Sequence, residues 1–253
     1  MDDLTEPLIA VIGDPIAGNP SQLAIELALK SLGLEYHVNS FQVSSDNVVA
    51  ALDGLQVLGY RGVLVDDSLA LLAAAWSEGQ SSEGYGGSPI NCLYRKLEDE
   101  ERLYASDTHG QWLTAQANEH FKQLETTIEK CLWLGNRNKK FPADLVDVNK
   151  TELSTRTPSV DSVVQADLIV LSSGPKGEVP LDINEWPADD GSTLIIDLTD
   201  GNEEICNAAD KGYKVISSLD RQIGTIAQSF QLWTGAQPST TIIREAIEEY
   251  LSV

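Results

Sequence analysis

Cysteine is scarce. Cys92, Cys131 and Cys206 are the only three in 253 residues, widely spaced, with no CxxC pair and no histidine at metal-ligand spacing. That excludes a disulfide framework and a zinc site and points to a reducing compartment. Basic residues are also few: 17 Lys+Arg against 39 Asp+Glu give a formal net charge of -22 and a pI near 4.3. Such a surface repels phosphate backbones and anionic lipid, so no nucleic-acid or membrane partner is expected. The acidity itself reads as solubility or adaptation to salt rather than as a seat for a basic ligand. Long apolar runs are missing too, the longest being Leu69 to Trp76, well under the ~20 residues that span a bilayer. The start is acidic (Asp2, Asp3, Glu6) with no basic stretch before an apolar one, unlike a secretory signal. A soluble cytoplasmic protein is the expectation, and 42% hydrophobic with 22% charged residues suits an ordinary globular chain.

What is present is an alternation of short apolar runs and helical periodicities. Leu8 to Gly13 is a β-branched run that ends on glycine, as a buried strand does. Ser21 then reads as a helix N-cap, followed by Leu23, Ile25, Leu27, Ala28, Leu29 and Leu32 at helical spacing, with Gly33 as the C′ residue. A second strand is predicted over Tyr36 to Val43, a helix from Ser45 to Gly59, a third strand over Gly62 to Val65 and a third helix from Ser68 to Trp76. This is the α/β signature of a parallel sheet covered by helices. Pro89 to Tyr94 and Arg102 to Ala105 read as a hairpin, and Gln111 to Lys130 as a long helix. Short apolar runs then follow as strands at Cys131 to Gly135, Asp144 to Val148, Asp167 to Ser172, Leu194 to Leu198 and Tyr213 to Ile216. Two helices close the chain, Gly224 to Thr234 and Thr240 to Leu251.

Several segments together carry a resemblance: Ala10 to Ala17 (AVIGDPIA), Lys30 to Tyr36 (KSLGLEY), Leu55 to Gly62, and Phe230 to Gly235 (FQLWTG). With these the chain resembles shikimate dehydrogenase over nearly its whole length. The resemblance implies an N-terminal α/β domain that binds shikimate over residues 1–110, a Rossmann-like NADP domain over 111–223, and C-terminal helices, 224–253, that return to the first domain. It also implies NADPH-dependent reduction of 3-dehydroshikimate, with a Lys-Asp pair handling the proton and the substrate hydroxyls.

Matched residue by residue, the chemistry thins out. Of the two serines that hold the shikimate carboxylate in the family, the first is Asn19 here and the second is Ser21; Ser21 has both a helix-capping and a carboxylate-binding reading, which can coexist. The substrate-binding Asn matches Asn91. In the motif Asn-Val-Thr-x-Pro-x-Lys, the Asn becomes Leu64, the Thr Asp66, the Pro Ser68 and the catalytic Lys Ala70. An alanine donates no proton, and general-acid help of that kind is worth ~10² to 10⁴-fold. Asp66 and Asp67 add negative charge where an anion would approach. The catalytic Asp matches Asp107 in the preferred register; in the other register His109 replaces it, whereas in the first His109 is a loop residue whose simplest reading is an exposed one.

On the cofactor side, the glycine-rich turn is reduced to Leu134-Gly135-Asn136-Arg137-Asn138-Lys139-Lys140. A next strand beginning at Leu145 leaves fewer than the ~10 to 12 residues of a βαβ crossover. Gly135 and Arg137 are then the candidate NADP contacts, and the basic cluster of Arg137, Lys139 and Lys140 reads either as a phosphate hold or as a solvated loop. The family's Asn-Ala-Thr becomes Leu171-Ser172-Ser173, its Tyr becomes Asp200, and its substrate-contacting Gln becomes Thr225. The sequence therefore predicts a dehydrogenase-like protein with impaired or lost catalysis. A ligand-binding or regulatory role is expected, holding a shikimate-like acid through Asn19, Ser21, Asn91 and Asp107, or working beside a pathway enzyme or a second copy. The alternative is an active, divergent NADP-dependent enzyme of aromatic amino-acid biosynthesis using Asp107.

Overall fold

A computed structural model describes all residues except 1–5, 81–88, 136–141, 143–144, 146–150, 155–156, 173–181, 200–204 and 253, and omits the side chains of Gln80 and Cys206. The chain forms two compact units, Met1–His109 with Ile223–Val253, and Gly110–Gln222.

The first unit is built on β1 (Leu8–Gly13), α1 (Ser21–Ser31), β2 (His37–Gln42), α2 (Val48–Val57), β3 (Gly62–Val65), α3 (Ala70–Gln80), β4 (Cys92–Lys96) and β5 (Asp99–Ser106). The sheet order is β2-β1-β3-β4-β5. β1 pairs in parallel with both β2 and β3, and β4 is antiparallel to both β3 and β5. β1 and β3 are buried almost throughout, which is why they read as unbroken apolar runs rather than alternating ones. Ala10, Ile12, Val63 and Val65 face one core with Val48, Leu52 and Leu55 of α2 and Leu69, Ala73, Ala74 and Trp76.

The second unit holds α4 (Thr108–Gln123) beyond its first residues, then β6 (Cys131–Leu134), β7 (Thr151–Ser154), α5 (Val160–Val164), β8 (Leu168–Leu171), β9 (Leu194–Asp197), α6 (Ile205–Asp210) and β10 (Lys214–Ile216), in the all-parallel order β10-β9-β8-β6-β7. Alternate residues serve two cores: Cys131, Trp133, Leu168, Val170, Leu194 and Ile196 on one face, Leu132, Leu134, Ile169, Leu171 and Ile195 on the other. α7 (Ser218–Thr234) starts in this unit and ends in the first, where α8 (Thr240–Leu251) packs against α1.

The expected α/β class is what the chain adopts, with corrections. Ser21 is not the N-cap of α1: Pro20 holds that place, and the side chain that caps is Asn19, whose Oδ1 accepts the Ser21 N–H at 2.9 Å. α4 begins at Thr108 and stops at Gln123, short of the predicted Lys130. Glu125 enters the left-handed region at φ 54°, with Thr126 N–H on the Phe121 carbonyl and Glu125 N–H on that of Lys122. This is a Schellman ending made with Glu instead of the usual glycine. α7 begins six residues before the predicted Gly224, at Ser218, where Ser217 and Asp220 exchange hydrogen bonds. The strand predicted over 144–148 lies almost wholly outside the described residues, and the parallel neighbour of β6 is β7. Residues 135–150 therefore separate the two strands, a stretch of sixteen that removes the objection that a crossover would be too short.

Candidate functional site

In an open α/β sheet the ligand seat lies outside the carboxyl ends of the strands, where the chain leaves a central strand in both directions. For the first unit that place is the end of β1 and β3. β4 begins and β5 finishes at the same end, because β4 runs against its neighbours. Asn19 and Ser21 follow β1, Asp66 follows β3, Asn91 precedes β4 and Asp107 follows β5, so one end of one sheet gathers the residues singled out from the sequence.

Asp66 is the hub of the loops that leave β1 and β3. Its Oδ1 accepts the backbone N–H of Ser68 at 3.0 Å and the Ser68 hydroxyl at 2.8 Å, while its Oδ2 accepts from Asn19 Nδ2 at 3.3 Å. Ser68 Oγ in turn accepts the Asp14 N–H at 3.1 Å, and Gln42 ties the same loop by accepting the Ile16 N–H at 2.8 Å and donating to Asp14. Asn19 is thus spent at both ends of its amide, on Asp66 and on Ser21 N–H. Ser21, whose N–H is the group that Asn19 engages, is 3% exposed.

Asn91 is equally committed. Its Nδ2 donates to Thr108 Oγ1 at 2.8 Å and its Oδ1 accepts the His109 N–H at 3.2 Å. A helix opens with backbone N–H groups that lack intrahelical partners. Asn91 supplies one to α4 from across the sheet, and Asp107 is the residue immediately before that helix. His109 is not an exposed loop residue: it lies in the first turn of α4 and is 5% exposed. Thr108, wholly buried, also shares a hydrogen bond with Ser229 of α7 at 2.9 Å. Beside them burial pushes the Cys92 thiol up to about 12, against smaller opposing effects from Ser229 and Trp233. Thr108, Ser229 and Cys92 were invisible as a group in the sequence, being brought together from three separate elements. Gln228, one turn on from Thr225, encloses its Oε1 without a hydrogen-bond partner among the described residues, and an i,i+3 search from Thr225 would have flagged it.

Ala70, which the resemblance sets against the family's lysine, opens α3 at this same end and is 1% exposed; its carbonyl accepts the Ile90 N–H at 3.0 Å.

In the second unit the reversal point of the sheet is the end of β6 and β8. Gly135 stands there at φ 100°, accepted only because it has no side chain: a Cβ would fall within 3.0 Å of the Ser172 carbonyl oxygen. The glycine is used by the fold, to let β8 close on β6, and residues 136–141, which follow it, lie outside the described ones. Arg137, Lys139, Lys140, Ser173 and Asp200 lie outside the described residues. Asp197, 1% exposed at the end of β9, accepts the Thr199 N–H at 2.8 Å and hydroxyl at 2.7 Å through Oδ1, and Arg221 Nη2 donates to the Thr199 carbonyl at 3.2 Å.

The residues of the resemblance that remain intact are structural. Phe230 is fully buried, Trp233 donates Nε1–H to the Leu93 carbonyl at 2.9 Å, and its indole lies where a Cβ on Gly62 would be.

No family model matches the chain. The NADP(+) shikimate dehydrogenase of Methanococcus maripaludis is 25% identical over 283 residues, covering 98% of each protein. Among solved structures, the shikimate 5-dehydrogenase of Thermus thermophilus, in complex with NADP(H) and shikimate, aligns with a TM-score of 0.67 at 21% identity over 96% of this chain and 99% of that one. The ligand-free 5-ketofructose reductase of a Gluconobacter strain aligns at 0.69 with 13% identity over 97% and 99%. None of the described helices is long and apolar enough to cross a membrane. Along nearly its whole length the chain is thus similar in sequence to NADP(+) shikimate dehydrogenases and in fold to solved shikimate dehydrogenase structures.

Proposed function

We propose that this chain is a ligand-binding or regulatory member of the family that does not carry out the reduction of 3-dehydroshikimate. The observation that carries the reading is Ala70: where the family's proton donor belongs there is a buried methyl group. The loop residues of the first unit that follow β1, β3 and β5 or lead into β4, 14–20, 66–69, 107 and 89–91, include no lysine or arginine to replace it. The developing alkoxide of a ketone reduction needs a proton, which an alanine side chain does not give. Asp107 and Asn91, two of the remaining matches to the family's substrate contacts, stand at the head of α4, where Asn91 gives one N–H to Thr108 and accepts the His109 N–H.

NADP is the cofactor that the family relation implies, and when bound it supplies the hydride. Gly135, whose open side fits the Ser172 carbonyl, gives no support to a pyrophosphate seat. The second reading, an active divergent dehydrogenase, is favoured by one observation: the sixteen residues between β6 and β7 restore the length of a phosphate-binding crossover.

The test is the reaction itself in both directions, NADPH oxidation with 3-dehydroshikimate and NADP+ reduction with shikimate, alongside a fluorescence titration with NADPH. No turnover is expected in either direction. Steady turnover proportional to protein, lost on Asp107→Asn, would overturn the proposal in favour of the active enzyme.

A further inference from the structure

The register of α7 on the first unit's sheet is fixed at two points. Trp233 donates Nε1–H to the Leu93 carbonyl and fills the place of a Cβ on Gly62, where β3 begins. One turn earlier, Ser229 meets Thr108 Oγ1 at 2.9 Å and lies beside the Cys92 thiol, where β4 begins and β5 has just ended. β4 runs against β3, so the step from Trp233 back to Ser229 leads from the amino toward the carboxyl end of β3. Residues of α7 before Ser229 therefore stand at or past the carboxyl ends of the parallel strands, the side on which an open α/β sheet takes its ligand.

Gln228 is the next residue out. A helix advances about 1.5 Å per residue and its side chains lean toward the N-terminus, so the Gln228 amide is carried further in the same direction. The other side-chain amides at this end are committed. Asn19 bonds Asp66 and the Ser21 N–H, Gln42 bonds Asp14 and the Ile16 N–H, and Asn91 bonds Thr108 and the His109 N–H, each through both its nitrogen and its oxygen. Gln228 differs: its Oε1 is enclosed and accepts no hydrogen bond from any described residue. A buried acceptor without a donor is costly, and a donor brought by a ligand removes that cost. The residue as a whole is only partly buried, and an oxygen that holds no protein hydrogen bond gives none up when its side chain turns to a ligand.

We propose that Gln228 is a ligand contact of the first unit, its Oε1 accepting a hydrogen bond from a hydroxyl of the bound molecule, so that this residue selects hydroxylated ligands over ring acids without hydroxyls. This rests on the reading of the chain as a ligand-binding member of its family and names a residue that sets its specificity. The experiment titrates two probes calorimetrically into the full chain: shikimate, and cyclohexenecarboxylate, which has the same ring and carboxylate and no hydroxyl. Gln228→Met keeps the length of the side chain and removes the acceptor. It should weaken shikimate by about two- to tenfold, the worth of one neutral hydrogen bond, and leave the hydroxyl-free acid unchanged. Urea unfolding of the free variant should show no loss of stability, since no described group bonds that oxygen.

Equal weakening of both probes, or a lower urea midpoint in the free variant, would give Gln228 a structural role and overturn the inference. Unaltered shikimate binding would also overturn it while leaving the ligand-binding reading standing. If the parent protein binds neither probe, both fall.

Discussion

Gly62→Ala is the sharpest perturbation the first unit offers. Gly62 opens β3, and an added Cβ would come within 3.0 Å of three atoms of the Trp233 indole, Cδ1, Nε1 and Cγ. The indole cannot retreat. It is 1% exposed, its Nε1–H is committed to the Leu93 carbonyl, and Arg61 Nε reaches the Trp233 carbonyl at 3.3 Å. Overpacking a filled core costs about 1–3 kcal/mol. If the indole shifts, the buried Trp233–Leu93 hydrogen bond is broken for about 1–3 kcal/mol more. Alanine returns about 0.5–1 kcal/mol over glycine in a strand. The net loss is about 1–5 kcal/mol, a large share of a usual domain stability of roughly 5–15 kcal/mol. Urea unfolding followed by circular dichroism measures it, with amide exchange in β3 and β4 assigning the change to this unit. The decisive control is a double-mutant cycle with Trp233→Ala: once the indole is gone the methyl group has room, and the effect of Gly62→Ala should vanish or change sign. A Gly62→Ala protein within about 0.5 kcal/mol of the parent, or one equally destabilised in both backgrounds, would refute the reasoning.

Three further outcomes follow from buried polar groups. Arg95, 5% exposed, donates Nε–H to Tyr60 O at 2.7 Å and its two terminal nitrogens to the carbonyls of Glu100 and Gln56, so Arg95→Lys should lower the unfolding free energy by about 2–3 kcal/mol, since one ammonium cannot reproduce a three-way fork. Asn91→Ala removes the hydrogen bonds to Thr108 Oγ1 and to the His109 N–H and should cost about 1–3 kcal/mol, read as early loss of exchange protection in the first turn of α4. Burial holds the Cys92 thiol at about 12 against an ordinary 9.0. The folded state keeps a proton that the unfolded state releases, so stability is full below pH 9 and declines as pH rises toward 12, by about 1.4 kcal/mol per unit for this one group; Cys92→Ala should flatten that decline in urea midpoints taken above pH 9.

The fold was legible where burial is two-sided. β1, β3, β6, β8 and β9 announce themselves as apolar runs because helices cover both faces of a parallel strand. β7 did not, since Thr-Glu-Leu-Ser at the sheet edge, with Leu153 54% exposed, has no apolar signature. The end of α4 was missed because a Glu occupies the left-handed position where glycine is the usual sign. In the site, Asn19, Ser21, Asn91 and Asp107 could be listed from the sequence, but not how they are engaged. The bond from Asn19 to Asp66 joins residues 47 apart and that from Thr108 to Ser229 residues 121 apart. A local pattern also assigned the cap of α1 to Ser21 when the residue two places earlier performs it.

What survives of the resemblance and what has changed fall on opposite sides of a physical division. Gly62 and Trp233 interlock, so a side chain added at the first clashes with the indole of the second, and Phe230 is fully buried. The residues at the carboxyl end are under no such mutual constraint from the core, and there an alanine stands for a lysine and an aspartate for a threonine. Those substitutions are nevertheless not idle: Asp66 has acquired Asn19 and Ser68 as partners and ties the loops after β1 and β3 together.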